Sequence, residues 1–145
     1  MDDATLEPPI ERGRRVLAAQ AFSVFLGAEL IGYDAEGTVL RIPLREEFKQ
    51  QHGFVHGGLV SYAADNALTY AGGFAFGGRP VVTSEFKINY VRPAAGDALV
   101  ARATLVYAGR SQAVSRCDVF AERNGSEVLV AVAQGTIVVI DPPAR

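Results

Sequence analysis

Residues 57–73 read GGLVSYAADNALTYAGG. Paired glycines bracket a run rich in alanine and leucine, the residues that most favour helix, so the stretch predicts a helix of about four turns. Leu59, Val60, Tyr62, Ala63, Ala64, Ala67, Leu68, Tyr70 and Ala71 cover nearly its whole circumference, where a surface helix would carry one apolar stripe. Such a helix has to be wrapped by other structure.

The wrapping is legible on both sides. Residues 81–91, 98–108, 112–122 and 128–140 are rich in valine, isoleucine, tyrosine and threonine, as strands are. Between them stand Pro-Ala-Ala-Gly-Asp at 93–97, Gly-Arg at 109–110 and Arg-Asn-Gly-Ser at 123–126, turn signals short enough to require antiparallel neighbours. Upstream, apolar runs at 25–33 and 38–44 flank Asp34, Ala35, Glu36 and Gly37 and read as a hairpin. Pro8 and Pro9 stand just before an amphipathic helix over 10–20, and the polar segment REEFKQQHGFVH at 45–56 reads as a loop. The expected fold is α+β: a twisted antiparallel sheet of five or six strands with one long helix packed in its curve.

At 145 residues the chain has the length of a single domain, residues 1–145. It is 49% hydrophobic and 21% charged with a net charge of −2, which favours neither disorder nor an electrostatic grip on nucleic acid. One cysteine, Cys117, cannot form an internal disulfide and fits a reducing cytoplasm. The start, MDDATLEPPIERGRR, lacks the apolar region of a signal peptide, and no run approaches the roughly 18 apolar residues of a membrane span. The expected location is therefore cytoplasmic, with no membrane partner.

Candidate chemistry begins on the wrapped helix. Gly57, Ser61, Asp65 and Thr69 are spaced four apart and form one slowly drifting stripe. A carboxylate on an otherwise apolar helix costs several kcal/mol, on the order of what buried ions cost elsewhere, so Asp65 either has a basic or backbone partner or reaches a wet cleft. Gly57 and Gly58 stand at the helix start, where unpaired N–H groups favour negative charge and a missing side chain admits a ligand; a tight turn is the plainer reading. Asn66 suits an interface or the loop. His52 and His56 lack further ligands to make a metal site, and His56 is placed to orient the loop or touch substrate. Arg92, Arg110, Arg116 and Lys87 are candidates for phosphate contacts or plain solvated charges. Strict alternation sets Thr83, Glu85, Lys87 and Asn89 on one strand face and Val82, Ser84, Phe86, Ile88 and Tyr90 on the other.

The segment HGFVHGGLVSYAADNALTYAGG at 52–73, with VVTSEFKINYVRPAAGD at 81–97, resembles the hotdog-fold acyl-CoA thioesterases of the phenylacetate-degradation (PaaI-like) type. The likeness runs from the strand near Val39 to AVAQGTIVVI at 131–140, and its core is GxxHGG, the helix aspartate and NYxRPA. The resemblance implies Asp65 as nucleophile or general base, Gly57 N–H as donor to the thioester carbonyl, Gln50 as the loop amide, and Thr69 or Thr83 as an assisting hydroxyl. His56 joins these as a catalytic-loop candidate, and Gly58, Ser61, Asn66, Arg92 and Arg110 are the substrate-binding candidates. It also implies a homodimer with shared active sites, within a homotetramer, acting on an acyl-CoA whose coenzyme A is part of the substrate and not a separate cofactor.

Two rival readings have different requirements. A hotdog enoyl-CoA hydratase or dehydratase needs a histidine working with the carboxylate, for which His56 and Asp65 are available. A non-catalytic acyl-CoA binding protein would keep the cleft and not need the carboxylate. The acyl group is unspecified: Tyr62, Tyr70, Phe54, Phe74 and Phe76 read as pocket or as core.

Overall fold

The computed structural model describes residues 7–140. Of the first fifteen residues, read above for a signal peptide, 1–6 lie outside the described residues. The long helix, α3, spans Gly57–Gly73 as the composition predicts. Around it, strands β1 (Glu29–Asp34), β2 (Gly37–Pro43), β3 (Val81–Tyr90), β4 (Ala98–Ala108), β5 (Gln112–Arg123) and β6 (Ser126–Val139) form one six-stranded sheet. Every pairing is antiparallel, in the order β1-β2-β4-β5-β6-β3.

The core lies between α3 and the concave face of that sheet. Leu68 of α3 meets Leu40 and Ile42 of β2, Leu99 of β4, Val119 of β5 and Ile137 of β6 in one cluster, all fully buried; each such side chain contributes about 1.5–3 kcal/mol by leaving water. One glycine sets how near the helix comes: a Cβ on Gly72 would stand 2.5 Å from Ile137 Cγ1 and push helix and sheet apart. A Cβ on Gly135 of β6 would stand 2.7 Å from Phe86 Cβ and 2.8 Å from Glu85 O, so that glycine sets how closely β3 lies on β6.

Three expectations change. The helix near the N-terminus, α1 (Pro9–Ala18), is followed by a second, α2 (Ala21–Leu26), so residues 25 and 26 belong to helix and not to the first strand. Gly27, at φ 73°, ends α2 in the left-handed conformation that glycine adopts without strain; the apolar run across it has no period that separates helix from strand. The connection after β3 is not a hairpin. It crosses the end of the sheet: Val91 and Arg92 N–H groups donate to Val130 O on β6, and Asp97 N–H donates to Glu122 O on β5. Borrowing hydrogen bonds from strands it passes, a short segment reaches β4 without pairing β3 to it. The third change is a β-bulge at Ser84, described with the site below.

α1 begins with Pro9 in its first turn and carries Glu11 there and Arg15 in its last turn, complementing the helix dipole. It lies across β1: Arg14 Nε donates to Leu30 O at 3.1 Å, and Tyr70 OH donates to Gly13 O at 2.8 Å. Among the described residues no helix is long and apolar enough to cross a membrane.

Candidate active site

The polar stripe of α3 runs beside the edge strand. Gly57 lies against the Tyr90 ring, Thr69 against Thr83, and Gly73 against Val81. Helix stripe and strand β3 therefore face each other along their whole length, and β3 is the last strand of the sheet. The stripe sits where the sheet ends.

Thr83 reaches this line because of the bulge. Thr83 pairs with Ile137 and Glu85 with Thr136, leaving Ser84 as an extra residue. The extra residue shifts the alternation by one. Val81, Thr83, Phe86 and Ile88 are consequently the half-buried residues that share the helix-facing side, and Glu85, Lys87 and Asn89 point out. Strict alternation had set Thr83 opposite Phe86 and Ile88.

Asp65 is half-buried and its Oδ1 accepts a 2.7 Å hydrogen bond from Thr83 Oγ1. Thr69 Oγ1 lies 2.8 Å from Asp65 O and 2.8 Å from Thr83 Oγ1. Two hydroxyls carry two protons; with Thr83 donating to the carboxylate, Thr69 divides its own between the helix carbonyl and Thr83. Thr83 thus touches the carboxylate, and Thr69 supports it from behind. Among the described residues Oδ2 has no partner and no basic side chain forms an ion pair with Asp65. Among the described residues, one hydroxyl and partial exposure are all that offset the desolvation of this charge.

At the start of α3, His56 is the N-cap: its Nδ1 accepts from Gly58 N–H at 2.9 Å. A bonded Nδ1 places the imidazole proton on Nε2 of the exposed side. Gly58 is required by this cap, since a Cβ there would fall 2.9 Å from His56 Nδ1. Gly57 is different. A Cβ on it would meet only the Tyr90 ring, at an ordinary 3.6 Å, and among the described residues its N–H has no acceptor. The loop before it closes through Gly53 N–H donating to Gln50 O, and the Gln50 side-chain oxygen accepts from His52 N–H, so Gln50 holds the turn and among the described residues its amide nitrogen has no acceptor.

Other candidates separate. Asn66 donates to Tyr62 OH at 2.9 Å and Gln20 Oε1 at 3.3 Å, in a cluster that Ser23 completes with 2.6 Å contacts to Gln20 and Tyr62. It is tied to α2 on a face adjoining that of Asp65. Ser61 is half-buried on the stripe one turn before Asp65. Arg92 follows β3 at the Tyr90–Gly57 end, whereas Arg110 sits in the β4–β5 turn beside Ser111, whose carbonyl binds Val139 near the opposite end of β3. One chain cannot bring both to one phosphate. Tyr70 and Phe76 are buried, Phe54 is exposed, and Tyr33 packs edge-on to Tyr70 and Phe74.

Two features escaped sequence reasoning. Tyr90 OH donates to Gly57 O at 3.1 Å, fixing the edge strand to the helix start; its place in the NYxRPA run was the available signal. The other is a cleft of about 370 Å³ between α1, the C-terminal half of α3 and the start of β3, reaching from Asn66 and Thr69 to Gly73 and walled by Val16, Tyr33, Tyr70 and Val81. Nothing local in the sequence brings α1 to that place.

Known proteins share this fold. A family model described as the thioesterase superfamily matches residues 52–128, just over half of the chain. A Saccharolobus solfataricus protein with an ascribed esterase function is 32% identical over 90 residues, or 61% of this chain; the match spans 64% of that relative, just under two thirds of its length. A thioesterase family protein of Silicibacter pomeroyi superposes with a TM-score of 0.83 at 31% identity, over 92% of this chain and 98% of that one. The PaaI protein from the phenylacetic acid degradation operon of E. coli superposes with a TM-score of 0.79 at 25% identity, over 90% and 92% of the two chains. The fold is the hotdog fold, and with the family match, the chain belongs to the thioesterase superfamily, a family of thioester hydrolases.

Proposed function

We propose that the protein hydrolyses acyl-CoA thioesters, with Asp65 as the reacting carboxylate and Gly57 N–H as donor to the thioester carbonyl. The observation that carries this reading is the state of Asp65: half-buried on an apolar helix, held at Oδ1 by Thr83, and open at Oδ2. A purely structural carboxylate in such a place gathers further partners. In the reaction, Oδ2 either takes a proton from water as the water attacks, or itself attacks the carbonyl carbon to give an anhydride that water then opens. In both routes the C–S bond breaks and its electron pair leaves with the sulfur of coenzyme A. Negative charge on the carbonyl oxygen is met by the unpartnered Gly57 N–H and the helix dipole.

Geometry supports a second copy in the same site. Asp65 lies eight residues beyond Gly57, about 12 Å along the helix axis at 1.5 Å per residue, and one carbonyl group cannot touch both. Two copies meeting along β3 would set the Gly57 of one beside the Asp65 of the other. The ten-residue β3 has one unpaired edge and carries exposed Val82 and Tyr90, with Val91 just beyond it, features that call for a covering partner. A homodimer with shared sites, doubled into a tetramer, fits this need.

The test is thiol release from a panel of short-chain, medium-chain, long-chain and aryl acyl-CoA thioesters, by native protein and by Asp65→Ala. Release by native protein with at least about a 100-fold loss in the variant is the expected result, the size for a positioned acid-base group. Acyl-CoA binding without release by either protein would replace the enzyme with a binding module. Single-turnover hydrolysis in oxygen-18 water separates the routes, because label in the Asp65 carboxylate excludes a pure general-base role.

A further inference from the structure

The cleft that reaches Thr69, one helical turn beyond Asp65, is cationic. Arg12 and Arg15 of α1 and Arg79 of the turn after α3 line it, and among the described residues no Asp or Glu does. Arg15 is paired with Glu7; among the described residues Arg12 and Arg79 form no ion pair. Arg12 is half-buried and reaches across to the 77–80 turn, where a Cβ on Gly78 would lie 3.8 Å from its Cδ. Burial pushes the Tyr33 phenol up from its ordinary pKa, while the Arg12 guanidinium beside it pulls the other way; the phenol stays protonated at neutral pH and is a neutral donor on the same wall. The cleft follows α3 from Asn66 to Gly73, about 10 Å at helical rise. Thr69, on its lining, bonds the threonine that holds Asp65.

Guanidinium groups converging on a partly enclosed, apolar-walled space raise the local potential for an anion and present it a planar fork. We propose that Arg12 and Arg79 bind a second, anionic group of the thioester substrate while its thioester lies at Asp65. The inference rests on the thioesterase reading above. Two parts of such a substrate carry that chemistry: a carboxylate at the far end of the acyl chain, and a phosphate of coenzyme A. Either would make a charge-assisted pair with Arg12, and Arg79 would close over it from the turn.

The experiment measures kcat/KM for native protein, Arg12→Gln and Arg79→Gln on four thioesters. These are hexanoyl and 5-carboxypentanoyl groups, each carried on coenzyme A and on N-acetylcysteamine, which has no phosphate. An acyl carboxylate in the cleft lowers the ratio of carboxylated to plain substrate about tenfold or more in the variants, on both carriers. A phosphate there lowers the ratio of coenzyme A to N-acetylcysteamine thioester by a similar factor, for both acyl groups. If both ratios stay at their native values, the proposal is overturned, whatever happens to the absolute rates. Arg79→Gln stands on an exposed turn and guards against a folding defect in Arg12→Gln, with melting temperature as the check. Should native protein turn over none of the four, the thioesterase reading fails by itself; titration calorimetry with adipate and with coenzyme A still reads the cleft, and binding that disappears in Arg12→Gln upholds it where no binding overturns it.

Discussion

Asp65 and Asn66 are neighbours on one helix, both half-buried and both polar, yet their surroundings are opposite. Asn66 is held by Tyr62, Gln20 and Ser23, a set at the border of the cleft in which each group finds a partner inside the chain. Asp65 has one threonine and an open oxygen. A satisfied polar cluster fixes packing, here the seat of α2 on α3; an unsatisfied charge keeps bonding capacity for something that arrives. The difference comes from a step of about 100° around the helix, which turns one residue toward α2 and the next toward the sheet edge.

The sharpest way to break this comparison is to remove the donor and the carboxylate from different chains. Gly57→Pro deletes only the N–H, because proline is accepted at the first helical position and His56 already has the extended ψ of 133° that a following proline wants. It should lower kcat about 100- to 1000-fold, the loss for one oxyanion donor, and Asp65→Asn should lower it by about 100-fold or more. Mixing the two variants after dissociation and reassociation should restore roughly a quarter of native activity, since half the pairs are hybrids with one intact shared site. Recovery absent from the mixture would mean that Gly57 and Asp65 act within one chain or not at all.

A smaller effect distinguishes the two threonines. Thr83→Val removes the one hydrogen bond that the described residues make to the Asp65 carboxylate and should reduce kcat/KM by about tenfold or more, in line with the roughly 1.5–3 kcal/mol of a bond to a charged group, while Thr83→Ser retains most of the activity. A Thr69→Val loss as large as that of Thr83→Val would reverse the order of contact described above. On the Asn66 side, Tyr62→Phe should cost about 1 kcal/mol of stability in denaturant titration and change turnover far less than Thr83→Val does. The smallest signal is expected from Cys117, whose thiol burial pushes up to about 12. Below that value the thiol stays protonated, so at neutral pH iodoacetamide should leave folded protein unmodified and label it only after denaturation.

The span of α3 and of β4 was legible because composition and turn chemistry act over a few residues: glycines end the helix and Pro-Ala-Ala-Gly-Asp and Gly-Arg end the strand. The spacing of Gly57, Ser61, Asp65 and Thr69 was legible for the same reason. The face on which Thr83 lies was not, since a bulge is a relation between two strands and Ser84 is ordinary in its own sequence. Nor was the partner of β3: the turn-like residues at 93–97 announce a change of direction without saying which strand receives it.

The sequence by itself determined that one apolar helix is wrapped by antiparallel strands and that it carries a single carboxylate, because helix period and strand propensity are local properties of the chain. Only the tertiary structure decided that this carboxylate faces the sheet edge with Thr83 as its one partner among the described residues, that Asn66 is tied to α2, and that Arg12 and Arg79 line one cleft reaching Thr69. Those are contacts between residues far apart in sequence, chosen by register, bulge and helix packing, and no local pattern records them.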